Sequence, residues 1–316
     1  MSATGIADPA LARRRGPAVL RRASDFVLRF LGRTDGLVGV IILALFAFVA
    51  VFPSVFVGPL EDVTTATGLP LHAPYAGHVF GTDELGRDML NLTVHAARIS
   101  MIIGLMATLI TIVVGALVGI VAGYVGGVLD AVLMRVADFF LVLPTVVLAL
   151  ILAPVILDII GAGAEFAGIR ATLLVIVVVI GLTSWATTAR IIRSQVLSVK
   201  ERMFVDRARV IGSGPGRIMR RHILPNVVNL IVAQAVLTFA GAIFTETTLS
   251  FIGLGDPVAP SWGQVLNTAQ SAGAPGLGAW WYIAPPAACV VLVVLSFTLV
   301  GNALDDVLNP KGVGRR

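Results

Sequence analysis

Of 316 residues, 57% are hydrophobic and 13% charged, against about 25% charged in an ordinary soluble domain, which excludes a water-soluble globule and points to helices of about 20 apolar residues crossing a bilayer. The net charge of +5 leaves nucleic acid open only until the basic residues are located. The single cysteine, Cys289, excludes a disulfide framework, and four scattered histidines (His72, His78, His95 and His222) argue against a metal site.

Seven arginines between Arg13 and Arg33 precede the first apolar run, and no small-residue cleavage site follows it, so residues 1–35 do not read as a cleavable leader. Val19, Leu20, Ala23, Phe26, Val27, Phe30 and Leu31 recur at three- and four-residue steps, with arginines on the other face. That period predicts a basic amphipathic helix lying on the membrane surface, with a solvated basic tail as the other reading.

Six apolar segments follow, at 36–57, 99–124, 130–156, 171–191, 227–254 and 283–304, each long enough to span. The predicted class is therefore all-α, a polytopic membrane protein of six transmembrane helices. Its parts are a basic tail (1–35), a first span with an external loop (36–96), a transmembrane domain (97–306) and a second tail (307–316). Residues 58–98 and 255–282 are rich in Pro, Gly and Trp and read as ordered external loops. In the second span, Gly115, Gly119 and Gly123 form a small-residue stripe that lets another helix approach, roughly continued by Gly104 and Thr111.

With the N-terminus inside, twenty of the 23 Lys and Arg residues fall in the tails, the 124–135 turn and the 186–226 loop, leaving only Arg87, Arg98 and Arg170 opposite. This bias predicts that both termini are cytoplasmic. It also accounts for the basic excess without nucleic acid.

The 186–226 loop is longer than topology requires. Its sequence predicts a short helix through Ala208, closed by Gly212 in a left-handed conformation. A Gly214-Pro215-Gly216 turn and a second short helix then lead to Pro225 at the mouth of the fifth span. A rigid helix–turn–helix of this kind reads as a docking element.

These residues resemble the "EAA" motif of binding-protein-dependent ABC importer permeases, with Asp206, Ala208, Gly212, Leu224 and Pro225 in register. Asp206 stands where the motif has Glu, Arg207 where it has Ala, and His222 where it has an apolar residue. Two further segments resemble the C-type subunit of the dipeptide/oligopeptide/nickel branch. One is Gly81-Thr82-Asp83-Glu84-Leu85-Gly86-Arg87-Asp88, followed by Ala97-Arg98-Ile99-Ser100. The other is Thr245-Glu246 through Gly255, with Pro260-Ser261-Trp262-Gly263. Arg135, Asp138 and Pro144 fall on an Arg–Asp–Pro series of the same branch. The resemblance covers roughly residues 33–310.

The resemblance implies a type I importer permease fold in the cytoplasmic (inner) membrane. It also implies ATPase coupling through Asp206, Arg207, Ala208, Gly212, Leu224 and Pro225. The implied partners are a homologous second permease, two ABC ATPase subunits carrying ATP and Mg, an external substrate-binding protein and the bilayer. A phosphate-binding loop needs a lysine before Ser or Thr. Lys200 precedes Glu201 and Lys311 precedes Gly312, so this chain is expected to be no enzyme and to hold no cofactor or metal itself.

Glu246, near the end of the fifth span, reads either as a gate or subunit contact or as a helix-end residue in interface water. Asp83, Arg87 and Asp88 read either as a helix start capped by Thr82 or as contacts to the binding protein. Arg135 and Asp138 are spaced to pair with each other. Asn91-Leu92-Thr93 fits a glycosylation sequon. Trp262, Trp280, Trp281 and Tyr282 read as an interfacial aromatic belt, and His222 as a cap or phosphate-region contact at the membrane surface. The combined reading is a permease subunit of an importer of di- or oligopeptides. Nickel, haem or another delivered solute stands as the alternative within the family, and a secondary transporter outside it.

Overall fold

The computed structural model describes residue 30 and residues 32–308, except 162–163 and 167–168. The surface helix expected in the basic tail, and the tail beyond residue 308, fall almost entirely outside these residues.

Among the described residues, five helices are long and apolar enough to cross a membrane, and a sixth crossing is a bent pair. Helix α1 (Thr34–Val51) stops at a short turn beginning with Pro53, whose missing N–H ends the helical ladder. Helix α2 (Met89–Val125) is 37 residues long, about 55 Å at 1.5 Å per residue, so it overshoots a hydrocarbon core of about 30 Å. It begins ten residues before the predicted second span because Asp88 caps it, its side chain accepting the Asn91 N–H.

The third predicted span is not one helix. Helices α3 (Gly127–Val142) and α4 (Thr145–Ile160) meet at 93° across Leu143 and Pro144. A residue before proline is pushed out of the helical region, and Leu143 is extended, at φ −80° and ψ 128°. A small hairpin of β1 (Glu165–Phe166) and β2 (Ile169–Arg170) precedes α5 (Ala171–Lys200), which runs nine residues past its predicted end. Helix α5 is the axis of the bundle: 67% of its apolar window is buried, against 22–39% for the other four spans.

Helices α2 and α5 run parallel, and the glycine stripe is their seam. A Cβ on Gly115 would lie 2.7 Å from Thr188 Cβ, one on Gly119 2.6 Å from the Ala189 carbonyl, and one on Gly123 2.9 Å from Val196 Cβ. Without a hydrophobic drive between helices in lipid, such backbone approach supplies the packing. Thr111 continues this seam, donating to the Gly181 carbonyl at 3.3 Å. Gly104 does not: it faces Ile243 and Phe239 of α8 (Leu224–Leu249).

After α5, α6 (Met203–Val210) and α7 (Pro215–Ile218) form the helical loop. A π turn over Met219–Ile223 joins α7 to α8 without a break, and a second over Ser250–Leu254 closes α8. Helix α9 (Trp262–Ser271) folds back against that end, and α10 (Trp280–Leu308) returns alongside α1. Arg33 bonds both Asp35 and Asp306, at 2.8 and 2.6 Å, tying the start of α1 to the end of α10. The bundle thus has a basic end carrying α6 and α7, and a loop end carrying residues 58–88 and 255–279.

At the basic end, the expected Arg135–Asp138 pair is replaced by contacts across helices. Asp138 faces Arg190 at 3.6 Å, and Asp130 takes two bonds from Arg193, at 2.5 and 2.6 Å. Both ties join α3 to α5.

Candidate functional site

The helical loop is built on a buried base. Val205 and Ala208 lie under α6, packed with Tyr124, Ile192, Val196, Ile218, Ile223 and Val227 from α2, α5, α7, the π turn and the start of α8. Ala208 is 3% exposed, so a small side chain is what lets α6 lie flat. Arg209 and Lys200 each stand 5.9 Å over the Tyr124 ring, adding cationic contacts to the same base.

Gly212 closes α6 as its sequence predicts, at φ +79°. The Ser213 N–H bonds the Ala208 carbonyl at 3.0 Å and the Gly212 N–H bonds the Arg209 carbonyl at 2.9 Å, the paired pattern of a Schellman end. Nothing lies within 4 Å of a Cβ built on Gly212, so the backbone conformation alone demands glycine. Asp206 and Arg207 point to solvent, with Asp206 bonded by Arg209 at 2.9 Å. Met203, Val210 and Ile211 are 73%, 87% and 80% exposed. The loop therefore buries its base and leaves large apolar side chains bare at both ends of α6.

Leu224 and Pro225 open α8, the Leu224 N–H reaching back to the Met219 carbonyl. Proline has no N–H and crowds the preceding turn. The wider π turn carries the chain through this point, so α7 and α8 form one continuous arm. His222 stands at the end of that turn, its carbonyl accepting from Asn226 Nδ2 at 2.7 Å.

At the loop end, Glu246 is fully buried, not bathed in interface water. Ser100 Oγ of α2 donates to Glu246 Oε2 at 3.1 Å and Ser250 Oγ donates to Oε1 at 2.8 Å. Ser100 Oγ in turn accepts the Trp262 N–H at 3.1 Å. Gly263 makes this possible, since its Cβ would fall 2.5 Å from the Thr247 carbonyl. The carboxylate thereby joins α2, α8 and α9. Ser100, Ser250 and Trp262 lay within the quoted motifs, but nothing local in the chain reveals that they meet.

Asp83 is also fully buried. Its carboxylate accepts from the Leu85 and Arg87 amides at 2.9 and 2.8 Å and from Arg87 Nε at 2.6 Å. Asp83 and Arg87 therefore hold the 58–88 loop together. The helix cap is Asp88, not Thr82. Thr82 instead accepts the His72 N–H at 3.0 Å through its hydroxyl and the Trp281 indole N–H at 3.2 Å through its carbonyl. Nearby Asp62 is exposed, and bonds from the Thr64 hydroxyl, then from the Thr64 and Thr65 amides, hold it below the usual carboxylate range.

The four aromatic residues do not form an interfacial belt. Trp262 and Tyr282 are fully buried, Trp281 is bonded to the 58–88 loop, and Trp280 alone of the four is exposed. The sequon asparagine, Asn91, is buried too. It accepts the Glu61 N–H at 3.1 Å and donates to the Pro59 carbonyl at 2.9 Å.

The chain is a polytopic helical bundle with a helix–turn–helix loop at its basic end and two long loops at its far end. Residues 115–312 match the family described as "Binding-protein-dependent transport system inner membrane component", and the chain belongs to that family. The dipeptide transport system permease protein DppC of Bacillus subtilis (strain 168) is 38% identical over 274 residues, covering 84% of this chain and 79% of that one. The oligopeptide transport system permease protein OppC of the same organism is 34% identical, covering 91% and 89%. The di/tripeptide transport system permease protein DppC of Pseudomonas aeruginosa (strain UCBPP-PA14) is 32% identical, covering 91% of each.

Proposed function

We propose that this chain is one of two permease subunits of an ATP-driven importer carrying di- and oligopeptides across the cytoplasmic membrane, with both termini cytoplasmic. ATP and Mg are bound by two separate ATPase subunits, and an external binding protein delivers substrate to the 58–88 and 255–279 loops. The observation that carries the coupling role is α6: its base is buried through Val205 and Ala208, while Met203, Val210 and Ile211 are bare. Closure of an ATPase pair gripping that tip pushes α5 and the α7–α8 arm together, because α6 is clamped to both. The peptide assignment draws on the relatives, which are named for dipeptides, oligopeptides and di/tripeptides. Asp83 and Arg87 serve the binding protein indirectly, by shaping the loop it touches.

The test is reconstitution of the chain with the subunits that co-purify with it. ATP hydrolysis by the complex should rise when peptide-loaded binding protein is added, and labelled dipeptide should accumulate. The isolated chain should hydrolyse no ATP. Turnover by the isolated chain that is lost on changing Lys200 or Lys311 overturns the assignment.

A further inference from the structure

Halfway along the bundle, α2, α4, α5 and α8 enclose an open cavity of about 250 Å³. Thr145, Ser184, Thr187, Gln234, Thr238 and Thr245 bring hydroxyl and amide groups to it, and no lining residue is charged. Thr245 bonds back to its own helix at Gly241. The side chains of Thr145, Ser184, Thr187, Gln234 and Thr238 have no protein hydrogen-bond partner among the described residues. Other surfaces at this depth, such as Leu105, Leu109, Val113 and Leu182, are exposed and purely apolar.

Unbonded polar side chains are disfavoured against lipid tails, and in the membrane interior they face water, a polar partner or a substrate path. The cavity is smaller than closed ligand pockets of about 300–1,000 Å³ and open on one side, as fits half of a passage. We infer that this strip is this subunit's wall of the translocation passage, and that its hydroxyl and amide groups hydrogen-bond the backbone of an extended peptide without selecting among charged side chains. The inference rests on the peptide-permease reading and adds the residues and chemistry of its path. A wall that donates and accepts, but carries no charge, matches the part of a peptide common to every sequence.

The test uses the assembled complex in proteoliposomes, with Cys289 replaced by serine and single cysteines at Thr187, Gln234 or Thr238. A charged, water-soluble methanethiosulfonate should modify each at least about tenfold faster than a cysteine at Leu182, on the other side of α5, in at least one nucleotide state. Peptide-loaded binding protein with ATP should slow that modification. Gln234→Glu should shift relative uptake toward basic over acidic peptides by about threefold or more, as one fixed charge in a narrow path requires. Cysteines as inert as Leu182→Cys with and without vanadate-trapped nucleotide, or ones that only cross-link to the second permease, overturn the passage. Fast modification that peptides never slow, but another delivered solute does, leaves the passage standing and overturns the peptide assignment.

Discussion

Ser100 and Glu246 stand 146 positions apart in the chain, yet Ser100 Oγ donates to Glu246 Oε2 at 3.1 Å while accepting the Trp262 N–H. One hydroxyl therefore connects the membrane helices α2 and α8 to α9 in the loop above them. The other carboxylate oxygen is held by Ser250 Oγ at 2.8 Å, so α9 and α8 meet through a buried carboxylate bonded on both sides.

Ser100→Ala should accordingly destabilise the permease by about 1–3 kcal/mol, the usual cost of leaving a buried polar group unpaired. Here two groups lose a partner, Glu246 and the Trp262 amide. Thermal unfolding in detergent measures this. Ser100→Ala combined with Glu246→Gln should cost less than the sum of the two, as expected for neighbours in one network. Strict additivity would show that the pair is not coupled.

The glycine seam makes a sharper contrast. Gly119→Ala places a methyl 2.6 Å from the Ala189 carbonyl, and overpacking of this kind costs about 1–3 kcal/mol. Gly241→Ala, also within a membrane helix but with nothing inside 4 Å, should be neutral or slightly stabilising. Membrane abundance and melting temperature of the two variants should diverge.

Gly212 should separate coupling from folding. A side chain at φ +79° costs roughly 1–2 kcal/mol, borne by a loop in water. Gly212→Val should reach normal abundance while ATP hydrolysis stops responding to loaded binding protein and uptake falls. Gly212→Asn, which tolerates the left-handed region, should keep most activity. Ala208→Leu should uncouple like Gly212→Val by lifting α6 off its base. Wild-type uptake by Gly212→Val would refute the coupling role.

Orientation is testable with impermeant thiol reagents on sealed cells, in a Cys289→Ser background. Cysteines at Val63 and Leu277, which are 63% and 65% exposed, should label from outside. One at Ser213 should not. Ala274, though it lies in the same loop as Leu277, is fully buried and should resist labelling from either side. Labelling of Ser213 from outside would invert the topology.

Much of this protein is legible along the chain. Apolar run length locates the spans, because the bilayer imposes one thickness on all of them. The distribution of Lys and Arg predicts which ends face the cytoplasm. The Gly115–Gly119–Gly123 period announces a close helix contact, and Gly212 after a short helical run announces its left-handed end. Each is a local signal, carried by neighbours within a turn or two. What only the tertiary structure decided depends on segments far apart. Hydropathy sums are blind to direction, so the 93° break at Leu143–Pro144 hides inside a continuous apolar run. Trp262 and Tyr282 read as an interfacial belt, but both are buried. Trp262 packs edge-on against Phe46 of α1 and donates to the Thr93 carbonyl of α2, while Tyr282 reaches Glu84 of the 58–88 loop. Asp138 finds Arg190 rather than Arg135 because side-chain pairing follows distance between helices, not spacing within one. Glu246 becomes a node for the same reason. It is bonded by Ser100 of α2 and by Ser250 at the end of α8, and Ser100 in turn takes the Trp262 N–H of α9, so only the packing of these elements sets the chain of bonds within reach.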